Sequence, residues 1–137
     1  MVQNSSKDLC LYRVQTAIET LETAKMCIET KHYKDTVNRS YYAAFYAVRA
    51  VLAMEKIDFK RHKDVIAYFN KTYVATEIFE KPIGRMLAQL QLKREKSDYD
   101  DFYVVSKEEA ETQYQNAIDI FNAVKKYLFD EYEIVAN

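Results

Sequence analysis

Two arginines and two tyrosines are regularly spaced in a strongly apolar segment, residues 38–54, which reads NRSYYAAFYAVRAVLAM. Arg39, Tyr42, Tyr46 and Arg49 follow one another at i, i+3, i+7 and i+10, so a helix places them within about 80° of arc. Guanidinium groups bind phosphate or carboxylate, and phenols donate hydrogen bonds or stack on a base. The spacing predicts a ligand-binding groove. The alternative is that the arginines pair with internal carboxylates and the tyrosines are core residues with satisfied hydroxyls.

A second candidate cluster, Arg94, Asp98 and Tyr99, lies in the string KREKSDY. Arg94 continues an apolar stripe of its predicted helix, so its charge points inward and needs a carboxylate or a bound anion. Asp98 is one helical turn further on and is the nearest partner. These three residues are therefore either part of a ligand-binding site or, if Asp98 is used up by Arg94, a structural ion pair at a helix end.

His62 lies between two cations, Arg61 and Lys63, in a basic connection. Neighbouring positive charges favour the neutral imidazole near pH 7, and a neutral histidine can take a proton from an RNA hydroxyl. His62 is the candidate catalytic residue. The alternative is a histidine that caps a helix or is simply solvated.

Metal and cofactor chemistry finds little support in the motifs. Glu29 and His32 match one Glu-x-x-His motif of the di-iron bundles, but that site needs the motif twice. His62 is the only other histidine, and the residue three positions before it is Phe59 instead of a glutamate, so the second motif is absent. The chain has one glycine, which cannot build a phosphate-binding glycine loop. We predict no metal site and no cofactor.

The periodicity of apolar residues predicts helices, and one glycine and one proline leave few turn formers for a sheet protein. The second helix is apolar on all sides, so it is either the centre of a bundle or covered by another subunit. Residues 97–105 are predicted to be a polar, aromatic-rich connection, and residues 131–137 a segment that can fray. We predict a single all-α domain over residues 1–137, an antiparallel up-and-down bundle of four long helices plus one short helix. The predicted helices cover about residues 7–30, 35–56, 62–73, 82–96 and 106–128. The last helix opens on a predicted capping box, Ser106-Lys-Glu-Glu109, in which the serine oxygen accepts from the first turn and the glutamate reaches back.

The charge is unevenly distributed along a chain with a net charge of −1. Residues 56–96 hold ten Lys/Arg against five Asp/Glu, and residues 97–137 hold three against ten. The middle segment can attract an anion. No apolar run is long enough to span a bilayer, and the first ten residues lack signal-peptide features, so we expect a cytoplasmic protein without a membrane partner.

Three short segments in this order and spacing resemble the HEPN domain family of prokaryotes, over about residues 8 to 128. The segments are Arg39-Ser-Tyr41-Tyr42-Ala43, His62-Lys63, and Arg94 with Asp98-Tyr99. The resemblance implies an up-and-down helical bundle that is usually dimeric. It also implies a frequent partnership with a minimal nucleotidyltransferase in toxin–antitoxin or defence modules.

Many HEPN proteins are metal-independent ribonucleases that use an Arg-x(4–6)-His motif at the dimer cleft, and this motif is absent here. No arginine is followed by a histidine five to seven residues later; Arg94 is followed by Tyr99, Asp100 and Asp101. Asp or Tyr side chains with ordinary pKa values exchange protons poorly near neutral pH.

We therefore expect a HEPN-type homodimer that binds nucleotide, RNA or a nucleotidyltransferase partner without the usual ribonuclease site. One alternative is a metal-independent RNA endonuclease toxin in which His62 acts with Arg39 or Arg94. Another is a non-catalytic helical adaptor.

Overall fold

The computed structural model describes the backbone of residues 2–136 and the side chains of residues 5–136. This part of the chain contains helices and no β-strand. The helices pack together, which confirms the predicted all-α, HEPN-like bundle. The elements are α1 (Val2–Glu29), α2 (Tyr33–Met54), α3 (His62–Phe69), a π-helical turn (Asn70–Val74), α4 (Lys81–Tyr99) and α5 (Lys107–Tyr132).

Helix α2 is the centre of the bundle and contacts α1, α3, α4 and α5. Its side chains Val37, Tyr41, Val48 and Leu52 are completely buried. A helix that is apolar on most sides needs cover on most sides, and the four neighbouring helices provide it for these residues. The structure has α2 at the bundle centre, as one of the two predicted arrangements expects, and the side of α2 that carries Arg39, Tyr42, Tyr46 and Arg49 stays half-buried. Cover of that side by another subunit stays a prediction.

The C-terminal ends of α4 and α5 lie beyond the sequence-based expectation. Helix α4 continues through Tyr99, so residues 97–99 are helical and the connection starts only at Asp100. Ser97 is buried and Asp98 pairs with Arg94 one turn earlier, and both contacts favour another helical turn. At the C-terminus, α5 extends to Tyr132, past the predicted end at residue 128, and Ile134 and Ala136 in the segment that follows are buried. The fraying expected for residues 131–137 stays a prediction.

Helix α5 begins at a cap that the sequence predicts. The Ser106 hydroxyl oxygen accepts a hydrogen bond from the Glu109 backbone N–H at 3.0 Å. The Glu109 carboxylate does not complete a capping box; it accepts a hydrogen bond from the Tyr103 hydroxyl instead. This contact ties the α4–α5 connection to the first turn of α5.

Close packing explains the position of the only glycine in the sequence. A Cβ added to Gly84 on α4 would lie 3.0 Å from Cγ1 of Val74 in the π-helical turn. Glycine therefore lets α4 approach this turn. None of the described helices combines the length and the apolar character that a membrane span requires.

Candidate functional site

Four of the predicted site residues, together with Tyr41, come from three separate segments that meet beside the central helix. Helix α2 contributes Arg39, Tyr41 and Tyr42, the first turn of α3 contributes His62, and the C-terminal half of α4 contributes Arg94. Because α2 contacts both α3 and α4, residues far apart in sequence come together. We refer to these five residues as the Arg/Tyr/His cluster.

Arg94 lies across the tyrosines of α2. Its guanidinium carbon is 4.6 Å from the centre of the Tyr41 ring and 5.8 Å from the centre of the Tyr42 ring. These are cation–π distances, and the attraction is stronger where water is excluded. The Arg94 side chain is only 14% exposed, and its Nη1 donates a hydrogen bond to Asp98 Oδ2 at 3.2 Å. Arg94 points inward as its stripe position predicts, and Asp98 is its ion-pair partner.

Arg39 approaches the same tyrosine and has no carboxylate partner. Its guanidinium carbon is 5.4 Å from the centre of the Tyr42 ring, and its Nε donates a hydrogen bond to Asn38 Oδ1 at 3.0 Å. Among residues 5–136, no acidic side chain forms an ion pair with Arg39. The half-buried Tyr42 ring is thus shared by two guanidinium groups, of which one keeps an uncompensated positive charge.

His62 is half-buried and packed against α2. Its ring centre is 4.0 Å from that of Phe45 and 5.8 Å from that of Tyr42, and its Nδ1 is 3.2 Å from the Tyr41 hydroxyl oxygen. Burial, followed by the positive charges of Arg94 and Arg49, lowers the pKa of His62 below its usual value. The imidazole is therefore neutral at pH 7, with one nitrogen placed by Tyr41.

Arg49 and Tyr46 have other contacts. Nη2 of Arg49 donates to both carboxylate oxygens of Asp58, at 2.9 and 3.0 Å, and Asp58 also accepts from Arg13 Nη2 at 3.2 Å. Arg49 thus belongs to an ion-pair network within the chain, as the alternative interpretation of the arginines expects. The Tyr46 ring packs on Tyr42 and Phe45, with ring centres 6.4 and 6.3 Å apart.

Tyr99, the remaining candidate, lies at the last position of α4 and is 81% exposed. The neighbouring connection carries two further exposed apolar side chains, Phe102 at 94% and Val104 at 82%. Tyr99 therefore belongs to an exposed apolar segment, outside the packed rings of the Arg/Tyr/His cluster.

Sequence reasoning missed two structural partners, Tyr41 and Arg13. Tyr41 looked like a plain core residue because it lies on the most apolar face of α2, yet its ring and hydroxyl contact Arg94 and His62. Arg13 is 7% exposed and anchors the Asp58 network. Helical spacing indicates this position of Arg13, because Arg13 is three residues after the buried Cys10 and so lies on the core side of α1.

No group of three or more His, Cys, Asp or Glu side chains within residues 5–136 has the arrangement of a metal site. The cluster offers guanidinium, phenol and imidazole groups. These groups can bind an anion, stack on a base and exchange a proton without a metal ion.

Comparison with known proteins identifies relatives along almost the whole chain. A "UPF0332 protein" of Thermotoga maritima is 28% identical over 127 residues, which cover 93% of this chain and 96% of the relative. Two proteins of Methanocaldococcus jannaschii carry the names "Putative toxin MJ0142" and "Putative toxin MJ0605". The first is 29% identical over 86% of this chain and 80% of its own length, and the second 33% over 84% and 85%.

The model of one protein family, described as "HEPN domain", matches residues 11–127 of this chain. The match includes α2, α3 and α4, and therefore every residue of the Arg/Tyr/His cluster. Because this match covers most of the chain, the chain belongs to the HEPN domain family.

Proposed function

We propose that this protein binds the phosphate groups of RNA or of a nucleotide through Arg39, Tyr42 and Arg94, as part of a toxin–antitoxin or defence-like module. The observation that carries the proposal is the convergence of two guanidinium groups on one tyrosine ring, with only one of them paired to a carboxylate. The names of the M. jannaschii relatives support the toxin context.

The charge of the cluster favours an anionic ligand. Two arginines, one carboxylate and a neutral imidazole leave an excess of one positive charge at a half-buried position. A partly buried cation binds phosphate more strongly than a fully solvated one, because less water screens the interaction. Arginine also presents its donors in a fork that matches two phosphate oxygens.

A binding assay with variants tests this proposal. We expect Arg39→Ala combined with Arg94→Ala to weaken the binding of single-stranded RNA by about tenfold or more, because each charged hydrogen bond that is removed costs about 1.5–3 kcal/mol. The slope of log Kd against log salt should also fall by about 0.7 for each phosphate that the variant no longer neutralises. Arg85→Ala on the exposed side of α4 is the matched control. RNA binding that survives the double substitution refutes the proposal.

A second candidate function is metal-independent RNA cleavage, with His62 as acid or base. The specific observation is that His62 lies within the cluster, near the rings that hold Arg94, and that its pKa is lowered so that the neutral form is available at pH 7. In this scheme neutral His62 takes the proton of an RNA 2′-hydroxyl, and the 2′-oxygen forms a bond to the adjacent phosphorus. The bond between phosphorus and the 5′-oxygen breaks, and the 5′-oxygen leaves as a hydroxyl with the proton that the imidazolium returns. Arg39 or Arg94 stabilises the negative charge on the phosphoryl oxygens.

Incubation of purified protein with tRNA and mRNA in the presence of a chelator tests cleavage. Products that disappear with His62→Ala and persist with the exposed His32→Ala support it. Intact RNA at high protein concentration refutes the cleavage proposal and does not affect the RNA-binding proposal. If neither binding nor cleavage is found, the helical adaptor remains.

Two partners are part of the proposal. We propose a homodimer and a complex with a minimal nucleotidyltransferase, working in the cytoplasm where RNA is available. The exposed Phe102 and Val104 are side chains that a partner could cover. Light scattering on the purified protein tests the dimer, which a monomer mass at high concentration would exclude. Co-purification with the product of an adjacent nucleotidyltransferase gene tests the complex.

A further inference from the structure

One hollow in the surface shares His62 with the Arg/Tyr/His cluster. It has a volume of about 370 Å³ and lies between α2 and the connection that leads into α3. We refer to it as the Phe59 hollow. Its lining residues are Phe45, Arg49, Asp58, Phe59, Lys60 and His62.

We propose that the Phe59 hollow binds one unpaired nucleotide of a single-stranded RNA, with the base against Phe59 and the phosphate at Lys60. The inference rests on the proposed function and deepens it, because it names single-stranded RNA as the ligand class. Since His62 borders both the hollow and the cluster, a strand whose phosphates bind at the cluster can continue into the hollow.

The size of the hollow suits a single nucleotide. Pockets that hold small ligands have volumes of about 300–1,000 Å³, and this hollow is at the lower end. Phe59 is 36% exposed, and its ring packs on Tyr68 with ring centres 5.5 Å apart and an angle of 48° between the planes. The contact with Tyr68 supports the Phe59 ring and leaves part of it free to stack on a base.

The charge of the hollow suits a phosphate, although a carboxylate lines it. Asp58 Oδ1 accepts hydrogen bonds from Arg49 and from the Phe59 backbone N–H, and Oδ2 accepts from Arg49 and Arg13. Two arginines therefore more than neutralise this carboxylate, and all its acceptor positions are used. Lys60 is exposed and has no acidic partner among residues 5–136, so it is available for phosphate.

Stacking in the hollow requires an unpaired base. In a duplex, neighbouring bases cover both faces of each base, and the base of the opposite strand pairs with its hydrogen-bonding edge. Only a base that is splayed out of the stack can place a face against Phe59. The arrangement of an aromatic side chain beside a basic groove is the one by which proteins bind single strands with little sequence preference.

Fluorescence anisotropy with the full chain tests the inference. The probes are a labelled single-stranded RNA of about eight nucleotides, the same RNA as a duplex, and the same strand with abasic sites. The variants are Phe59→Ala and Phe59→Leu, which keeps apolar volume but loses the aromatic face. Phe129→Ala on α5, a residue 55% exposed, is the matched control.

We expect both Phe59 variants to weaken the binding of the single strand by about 5- to 100-fold and to leave the duplex and the abasic strand unchanged. Wild-type protein should prefer the single strand to the duplex. Equal affinity of wild type and Phe59→Leu for the single strand overturns the hollow as a base site. If Arg39→Ala with Arg94→Ala still weakens binding by about tenfold or more in that case, the proposed function survives. If wild type binds none of the three probes, both proposals fail.

Discussion

Substituting Asp58 with Asn tests the network that holds the connection between α2 and α3. Asp58 accepts four hydrogen bonds, two from Arg49, one from Arg13 and one from the Phe59 backbone N–H, at 2.9 to 3.2 Å. It thereby joins α1 and α2 to the segment that carries Phe59 and His62. Asparagine keeps the shape of the side chain, removes its charge and turns one acceptor into a donor that faces a guanidinium group.

The expected loss of stability lies between the values for exposed and for buried ion pairs. Asp58 is 52% exposed, which alone would make its pairs worth about 0.2–1 kcal/mol. The Arg13 side chain, however, is 9% exposed, and removing the partner of a buried charge costs about 3–5 kcal/mol. We expect Asp58→Asn to lower the free energy of unfolding by about 2 kcal/mol, since hydrogen bonds to charged groups contribute about 1.5–3 kcal/mol.

Equilibrium unfolding in urea measures this loss. With a denaturant slope of about 2 kcal/mol per molar, the midpoint should fall by about 1 M. The matched control is Asp64→Asn, whose partner Arg61 is 68% exposed, and which should change the free energy of unfolding by less than about 0.5 kcal/mol. A midpoint for Asp58→Asn equal to that of Asp64→Asn would refute the reasoning.

The pH dependence gives a second readout of the same contact. Burial by itself raises the pKa of Asp58, but the hydrogen bonds from Arg49 and the Phe59 backbone N–H and the charges of Arg49 and Arg13 bring the net pKa below its usual value. A pKa lowered in the folded state contributes stability above the unfolded pKa of about 3.9, and this is lost as the pH falls through the folded pKa. The difference between wild type and Asp58→Asn should therefore shrink below about pH 4. A difference that grows there would contradict the assignment.

Three further predictions concern the core, a helix cap and His62. Leu87→Ala, at a fully buried position, should lower the free energy of unfolding measured in urea by about 2–5 kcal/mol. Leu92→Ala, at a position that is 50% exposed, should cost less, and equal losses for the two variants would contradict the packing. Ser106→Ala removes the cap of α5 and should cost about 1 kcal/mol in the same assay, where no loss would show that the cap is not used. Burial, the largest cause, lowers the pKa of His62, so wild type should lose stability relative to His62→Gln as the pH falls from about 6.5 towards the folded pKa; parallel pH profiles would contradict this.

The line of arginines and tyrosines on α2 shows how far the sequence can predict the site. Its helical spacing was sufficient to place Arg39, Tyr42, Tyr46 and Arg49 on one side of one helix. From Arg39 to Arg49 this line is about 15 Å long, so its two ends meet different neighbours. Arg39 approaches the tyrosine that also contacts Arg94, whereas Arg49 is held by Asp58. Periodicity specifies a face, and it does not specify what covers that face.

The helical bundle itself was predictable because local and periodic signals agree. Apolar residues recur with the helical period, the Ser106 cap marks the start of α5, and few residues favour turns. The end of α4 was predicted less well, because Asp98 and Tyr99 look polar in sequence. Their extra turn is helical since Ser97 is buried and Asp98 pairs with Arg94, and both contacts depend on the folded chain.

The amino-acid sequence by itself determined the fold class, the inward position of Arg94, the cap of α5 and the resemblance to the HEPN family. These properties depend on residue type and short-range spacing, which a linear pattern contains. Only the tertiary structure decided that Arg39, Arg94 and His62 meet around Tyr42, that Arg49 is paired internally, and that Phe59 borders a hollow beside His62. The physical reason is that these contacts join residues separated by up to 52 positions, and their distances follow from how the helices pack around α2.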